Sequence, residues 1–129
     1  MKKMFFILLL MILISSVPLF AESTNSEPTQ EPMVPYRLFK TTNLWTFIQL
    51  DTATGKMWQI QYDIQGDNRG GTVLNDANLA KDKKLIPGRF TLYPTENMWT
   101  FILLDQIDGE TWQVQWSFET DNRFVIPIY

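Results

Sequence analysis

The chain of 129 residues carries 11 basic and 14 acidic side chains, and it contains neither histidine nor cysteine. These absences exclude a disulfide, a Ser-His-Asp or Cys-His catalytic arrangement, and the commonest ligands of transition metals. The sequence therefore indicates no catalytic residues, no metal site and no cofactor.

The N-terminus is typical of a secretory signal peptide over residues 1–21. Two lysines precede an apolar run, and small residues near Ala21 suit a cleavage site. An uncleaved membrane anchor is the alternative, because the apolar stretch of residues 4–20 reaches the lower end of the length needed to span a bilayer. We expect cleavage, export to the periplasm or beyond the cell, and no stable membrane insertion afterwards.

Removal of the signal peptide leaves 9 basic against 14 acidic residues. This negative balance argues against nucleic acid as a partner. Residues 22–35 hold three prolines and few apolar side chains, which predicts a flexible, acidic, proline-rich linker.

The remaining residues, 36–129, contain two similar repeats in tandem. Residues 37–69 recur as residues 91–123 at a constant offset of 54 without a gap. We predict a single β domain made of two repeats, residues 36–74 and 89–129, which are joined by a polar loop over residues 75–88. Two independent domains of this size would be too small to bury a core.

Each repeat has the alternation and the glycine-ended turn of a β-hairpin. In the first repeat, strands over residues 44–51 and 56–63 flank a turn that ends at Gly55, where positive φ favours glycine. Cross-strand partners then have numbers that sum to 107, or to 215 in the second repeat. Further strands are predicted over residues 36–40 and 71–74, and over residues 89–93 and 124–128.

This register separates two faces on each hairpin. The aromatic face holds Trp45, Phe47, Gln49, Trp58, Ile60 and Tyr62, and in the second repeat Trp99, Phe101, Leu103, Trp112, Val114 and Trp116. The reverse face holds Thr46, Ile48, Leu50, Met57, Gln59 and Gln61, and in the second repeat Thr100, Ile102, Leu104, Thr111, Gln113 and Gln115.

Two aromatic faces left in water would form an apolar patch too large for a monomer, so we expect them to face each other. The predicted fold is all-β, with two tandem, pseudo-twofold-related, four-stranded antiparallel units packed as a small sandwich or barrel. Most of the tryptophans would then be core residues, and Trp116, near a strand end, is the one expected to reach the surface.

The polar elements that recur in both repeats are the candidate binding residues. The triplet Asp-Asn-Arg places Asn68 beside Arg69 and Asn122 beside Arg123, and a guanidinium can grip a carboxylate or a sugar. Alternatively, these arginines tie internally to Asp51 or Asp105, or cover a tryptophan ring. The glutamines and threonines of the reverse face are either solvated or line a shallow groove, and Gln61 and Gln115 are the candidates among them. Trp116 is the last candidate binding residue.

The segment GRFTLYPTENMWTFILLDQIDGETWQVQWSFETDNRFVIPI, with its Trp-Thr-Phe, Asp-x-x-x-Gly and Trp-Gln-Val-Gln motifs, resembles small exported proteins of Bacteroides-type bacteria that carry tandem Trp-rich β-hairpin repeats. The resemblance covers most of residues 36–129. It implies an exported bacterial β domain and transfers no activity, substrate or site.

The leading functional hypothesis is a non-catalytic exported binding module for a glycan or for an envelope or extracellular protein. The alternative is a structural protein whose near-equivalent repeats self-assemble. A cell-wall hydrolase based on carboxylates ranks third, because it needs two of the recurring acids in one cleft, namely two of Asp51, Asp67, Asp105 and Asp121. The ligand and the oligomeric state are left open.

Overall fold

The computed structural model describes residues 33–129, so the predicted signal peptide and residues 22–32 of the predicted linker lie outside the described part of the chain. Eight strands form the domain: β1 (Tyr36–Lys40), β2 (Thr46–Asp51), β3 (Met57–Gln61), β4 (Gly70–Asn75), β5 (Phe90–Pro94), β6 (Thr100–Asp105), β7 (Thr111–Gln115) and β8 (Phe124–Ile128). A single turn of 3₁₀ helix, Thr120–Asn122, precedes β8.

The strands form two antiparallel sheets, each a simple meander, in the orders β1-β2-β3-β4 and β5-β6-β7-β8. The prediction of an all-β fold with two tandem four-stranded units is confirmed. Because each sheet ends at its own edge strands, a sandwich fits this arrangement and a closed barrel does not.

The hairpin register is the predicted one. Thr46 pairs with Gln61 and Leu50 with Met57, so partner numbers sum to 107, and the second repeat follows the sum of 215. Gly55 and Gly109 both have φ +77°, as their turns require. Asp51 Oδ1 accepts hydrogen bonds from the turn N–H groups of Ala53, at 2.9 Å, and Thr54, at 3.2 Å. The hairpin strands themselves are shorter than predicted.

The first repeat buries the opposite face from the one expected. Its strands β2 and β3 bury Ile48, Leu50 and Met57 on the reverse face, whereas Phe47 and Trp58 on the aromatic face stay half-buried. The second repeat buries its aromatic face, as predicted. The expectation that the two aromatic faces meet is therefore wrong, and the two sheets do not meet through equivalent faces.

One core results, in which the reverse face of the first repeat packs on the aromatic face of the second. The buried apolar side chains form a single cluster: Ile48, Leu50, Met57, Leu74, Ala80, Phe90, Leu92, Phe101, Leu103, Trp112, Val114 and Trp116. Of the tryptophans expected in the core, Trp112 is buried, Trp99 packs against the cluster, Trp58 is half-buried and Trp45 is exposed.

The segment between the two sheets also packs against the core. Residues 76–89 contain no helix, and Ala80 is fully buried with Leu79 packed against the core. The Leu79 N–H donates to Thr54 O at 2.8 Å, which fastens the segment to the turn of the first hairpin.

Residues 33–35, the last part of the predicted linker, are also held. Thr52 donates its N–H to Pro35 O at 2.8 Å, and its hydroxyl donates to Val34 O. Residues 33–35 therefore do not behave as part of a flexible linker.

Candidate functional site

A polar groove of about 290 Å³ lies on the first repeat, between the ends of β3 and β4 and the loop that joins them. It brings together three of the predicted binding residues, Gln61, Asn68 and Arg69. The other lining residues are Gln59, Asp67, Gly70 and Thr72. The register places the two glutamines on one face of β3, and the recurring Asp-Asn-Arg triplet supplies the opposite wall.

The loop of residues 62–69 is organised around Asp63. Its carboxylate accepts hydrogen bonds from the Gln65 N–H at 3.1 Å and from Asn68 Nδ2 at 2.9 Å. These bonds, the one from Gln65 foremost, lower the pKa of Asp63 below its ordinary value. A Cβ at Gly66 would collide with Asp63 Oδ2, so any larger residue there would have to displace the carboxylate. The loop wall of the groove is thus held in one conformation.

The two recurring arginines serve as ties to their own loops. Arg69 Nε donates to Asp63 O at 3.2 Å, and Arg123 Nε donates to Ser117 O, the equivalent carbonyl, at 2.7 Å. Arg123 Nη2 also donates to Phe118 O at 3.0 Å. Both arginines make internal hydrogen bonds to backbone carbonyls, and not to the carboxylates or the tryptophan ring suggested by the sequence. Arg69 is exposed and also lines the groove.

Gln59 is the most unusual residue of the groove. Its side chain is only 5% exposed, and Oε1 is buried with no hydrogen-bond partner among residues 33–129. A buried amide oxygen without a donor costs about 1–3 kcal/mol. If the amide turned its oxygen toward the groove, a ligand that brings an O–H or N–H group there would relieve that cost.

An aromatic cavity of about 190 Å³ adjoins the groove and shares Gln61 and Asn68 with it. Trp45 and Tyr62 form its wall, with ring centroids 5.3 Å apart, and both rings are more than a third exposed. Trp45 was expected in the core and lies instead on this open face.

The second repeat has a counterpart of this aromatic cavity, lined by residues at the same offset of 54. Gln115 and Asn122 line a cavity of about 320 Å³ with Trp99 and Phe118, but Gln115 Nε2 already donates to Asn122 O at 3.1 Å. Neither aromatic cavity is lined by the recurring arginine of its repeat.

Trp116 does not reach the surface. It is fully buried, its Nε1 donates to Met98 O at 3.0 Å, and its ring lies 4.6 Å from that of Trp99. The prediction of a surface position for Trp116 is wrong, because at the strand end its ring packs against those of Trp99 and Phe118 and its N–H is hydrogen-bonded. Its counterpart Tyr62 holds the exposed position in the first repeat.

A charged cluster that the sequence did not reveal joins the second turn to the connecting segment. Arg89 donates to Asp105 Oδ2 from Nε at 3.0 Å and from Nη2 at 2.7 Å, and Nη2 also reaches Asp108 Oδ2 at 2.6 Å. Lys83 Nζ lies 2.7 Å from Asp108 and 2.9 Å from Glu110. Arg89 and Asp105 are buried, so these ion pairs hold the second turn and the connecting segment together at the edge of the core.

The ionisation of the cluster follows from these contacts. Burial alone would raise the pKa of Asp105, but hydrogen bonds from Arg89 and from the turn N–H groups outweigh burial and lower it. The hydrogen bond from Lys83 lowers the pKa of Asp108, and the two partner carboxylates raise the pKa of Lys83 to about 12.

The recurring acids occupy separate structural roles. Asp51 and Asp105 each accept hydrogen bonds from their own turns, Asp67 lines the polar groove, and Asp121 lies in the exposed 3₁₀ turn. The groove contains one of the four, Asp67, where a carboxylate hydrolase would need two.

Within residues 33–129, no three His, Cys, Asp or Glu side chains are arranged to hold a metal ion. The same part of the chain contains no helix that is long and apolar enough to cross a bilayer. A comparison of the chain with protein-family models, with curated proteins and with solved structures finds no match.

Proposed function

We propose that this protein is an exported, non-catalytic carbohydrate-binding module, and that the groove of the first repeat takes a short, neutral stretch of a glycan. The observation that carries the proposal is the unpaired, buried Oε1 of Gln59. Once the amide turns this acceptor toward the groove, it selects a ligand that donates hydrogen bonds, and a sugar hydroxyl is such a donor.

The composition of the groove favours a neutral polar ligand. Arg69 and Asp67 contribute opposite charges, and the remaining lining side chains are amides and a threonine. Amide and hydroxyl groups both donate and accept, as a ring of hydroxyls requires. The volume of about 290 Å³ lies near the lower end of the range for ligand pockets, about 300–1,000 Å³.

The adjoining aromatic cavity supports a saccharide over other hydroxyl compounds. Trp45 and Tyr62 offer exposed ring area next to amides that line both cavities. An aromatic ring supplies apolar contact area with a polar tip, which suits the mixed polar and apolar surface of a sugar. A glycan that extends beyond the groove would thus meet the rings.

Export through cleavage of residues 1–21 is part of the proposal. The apolar N-terminal run and the resemblance to exported proteins of Bacteroides-type bacteria support it. N-terminal sequencing of the protein recovered from the periplasm or the medium tests it, and an N-terminus at Glu22 is the expected result.

The test of binding is a glycan array followed by isothermal titration with the neutral oligosaccharides that bind. The informative variant is Gln59→Leu, which replaces the unpaired amide by an apolar side chain of similar size. We expect at least a tenfold loss of affinity, with unchanged or higher resistance to urea, because the variant removes a buried acceptor that has no partner.

Gln113→Leu is the matched control, since it makes the same change at the equivalent position of the second repeat. It should leave affinity unchanged. An array without a binding oligosaccharide, or equal affinities for the wild type and Gln59→Leu, would overturn the proposal. Binding to an envelope protein in place of a saccharide would also overturn it.

A further inference from the structure

Each repeat leaves one of its faces without a covering layer among residues 33–129. The first repeat leaves its aromatic face open, and Leu38 of β1 and Val73 of β4 extend that face. The second repeat leaves its reverse face open, and Tyr93 of β5 and Ile126 of β8 extend that one. These four side chains are each about half exposed or more. Contiguous exposed apolar side chains of this kind mark an interaction surface.

The two open faces are counterparts of the two faces that already pack together. Leu92 is 3% exposed in the core and its counterpart Leu38 is 62% exposed. Conversely, Leu74 is 8% exposed in the core and its counterpart Ile128 is 46% exposed. Inside the molecule, the aromatic face of the second repeat covers the reverse face of the first. The two open faces are again one aromatic face and one reverse face, and no other part of residues 33–129 covers them.

We propose that a second copy of this chain covers each open face, with the aromatic face of the first repeat in one molecule packed on the reverse face of the second repeat in the next. The occupant follows from the intramolecular interface, which shows that an aromatic face of this repeat fits a reverse face of this repeat. Open faces of unlike kind make a heterologous, head-to-tail contact. Such contacts repeat along a filament, or close into a ring when the rotation permits.

Side-chain chemistry supports the same pairing at several positions, although Gln49 and Thr111 stand on the open faces where the packed faces have Leu103 and Met57. The open reverse face keeps Ile102 and Leu104 where the packed one has Ile48 and Leu50. The open aromatic face keeps Phe47 where the packed one has Phe101. Gln59 lies on the other face of the first repeat, so Gln59→Leu should leave association unchanged, whereas a glycan that reaches Trp45 and Tyr62 would compete with the second copy.

The test is sedimentation of the purified full chain from low micromolar to several hundred micromolar concentration. We expect the weight-average mass to rise with concentration beyond that of a dimer, or to reach a single ring. Leu38→Glu/Val73→Glu disables the aromatic face, and Tyr93→Glu/Ile126→Glu disables the reverse face, so each double variant should be monomeric. Leu85→Glu, at an exposed position in the connecting segment, is the control and should associate like the wild type.

Mixing the two double variants distinguishes a head-to-tail contact from a symmetric one. Each variant retains the face that the other lacks, so an equimolar mixture should form a heterodimer of twice the monomer mass and stop there. A monomeric wild type would overturn the proposal. So would a mixture that stays monomeric, or a reverse-face variant that associates like the wild type.

Cross-linking gives a second measurement that adds no charge to the sheet. The chain has no cysteine, so Val73→Cys and Ile126→Cys each introduce a single thiol. With a thiol cross-linker, a mixture of the two should yield far more cross-linked dimer than either alone. Equal yields from a single variant and from the mixture would contradict head-to-tail packing.

Discussion

Replacing Leu92 by alanine tests the packing of the two repeats with an unusually close control, because Leu38 is the same residue at the equivalent position of the other repeat. Leu92 pairs with Leu103 and is 3% exposed, whereas Leu38 pairs with Gln49 and is 62% exposed. The change in side-chain volume and in strand propensity is the same at both positions. Any difference in the free energy of unfolding therefore reports the packing alone.

The expected magnitudes follow from burial. Leu92→Ala removes three buried carbons at about 0.8 kcal/mol each, or about 2.4 kcal/mol, and the cavity it leaves raises the loss to about 3 kcal/mol. Leu38→Ala removes the same atoms from a position where about a third of the surface is covered. We expect about 1 kcal/mol there, without a cavity term, since water fills the space.

Urea unfolding followed by tryptophan fluorescence measures the difference. With a slope of about 1–3 kcal/mol per molar urea, Leu92→Ala should lower the midpoint by about 1–3 M and Leu38→Ala by a third of that shift. Low protein concentration keeps self-association from protecting Leu38. Equal losses in the two variants would refute the inference that the first repeat buries its reverse face.

Three further results are expected. Trp112→Ala should cost about 3–5 kcal/mol of unfolding free energy and Trp58→Ala distinctly less, because only the first ring lies between the sheets; urea midpoints that fall equally would contradict this. The lowered pKa values of Asp105 and Asp108 stabilise the fold fully above their unfolded value of about 3.9 and lose that contribution as pH falls through their folded values. The urea midpoint should therefore drop between neutral pH and about pH 3, less steeply in Asp108→Asn, and an identical pH dependence in that variant would count against the cluster. Gly66→Ala places a methyl group against the carboxylate that organises the groove loop, so amide hydrogen exchange over residues 62–69 should accelerate, and unchanged exchange would argue that Asp63 does not organise the loop.

The sequence predicts part of the candidate site and misses the residue that matters most. Gln61, Asn68 and Arg69 follow from the hairpin register and the recurring triplet, which are local features, and the structure brings them together in the groove. The sequence places Gln59 only among the glutamines of the reverse face, because its burial depends on a second sheet that covers that face. It misplaces Trp116, because nothing in the sequence shows that Trp99 and Phe118 pack against this ring at the strand end.

The sequence by itself determines the tandem duplication, the strands, the hairpin register and the glycine turns. Alternation and turn chemistry act between residues close in the chain, and a shift of one residue would send every side chain to the wrong face. Which face becomes the core was decided only by the tertiary structure, because both faces of both hairpins carry apolar side chains. Two exchanges between the repeats agree with the outcome: the buried faces hold Leu103 and Met57 where the open faces hold Gln49 and Thr111. The free energy of burial depends on the surface that a partner removes from water, and that partner lies in the other repeat.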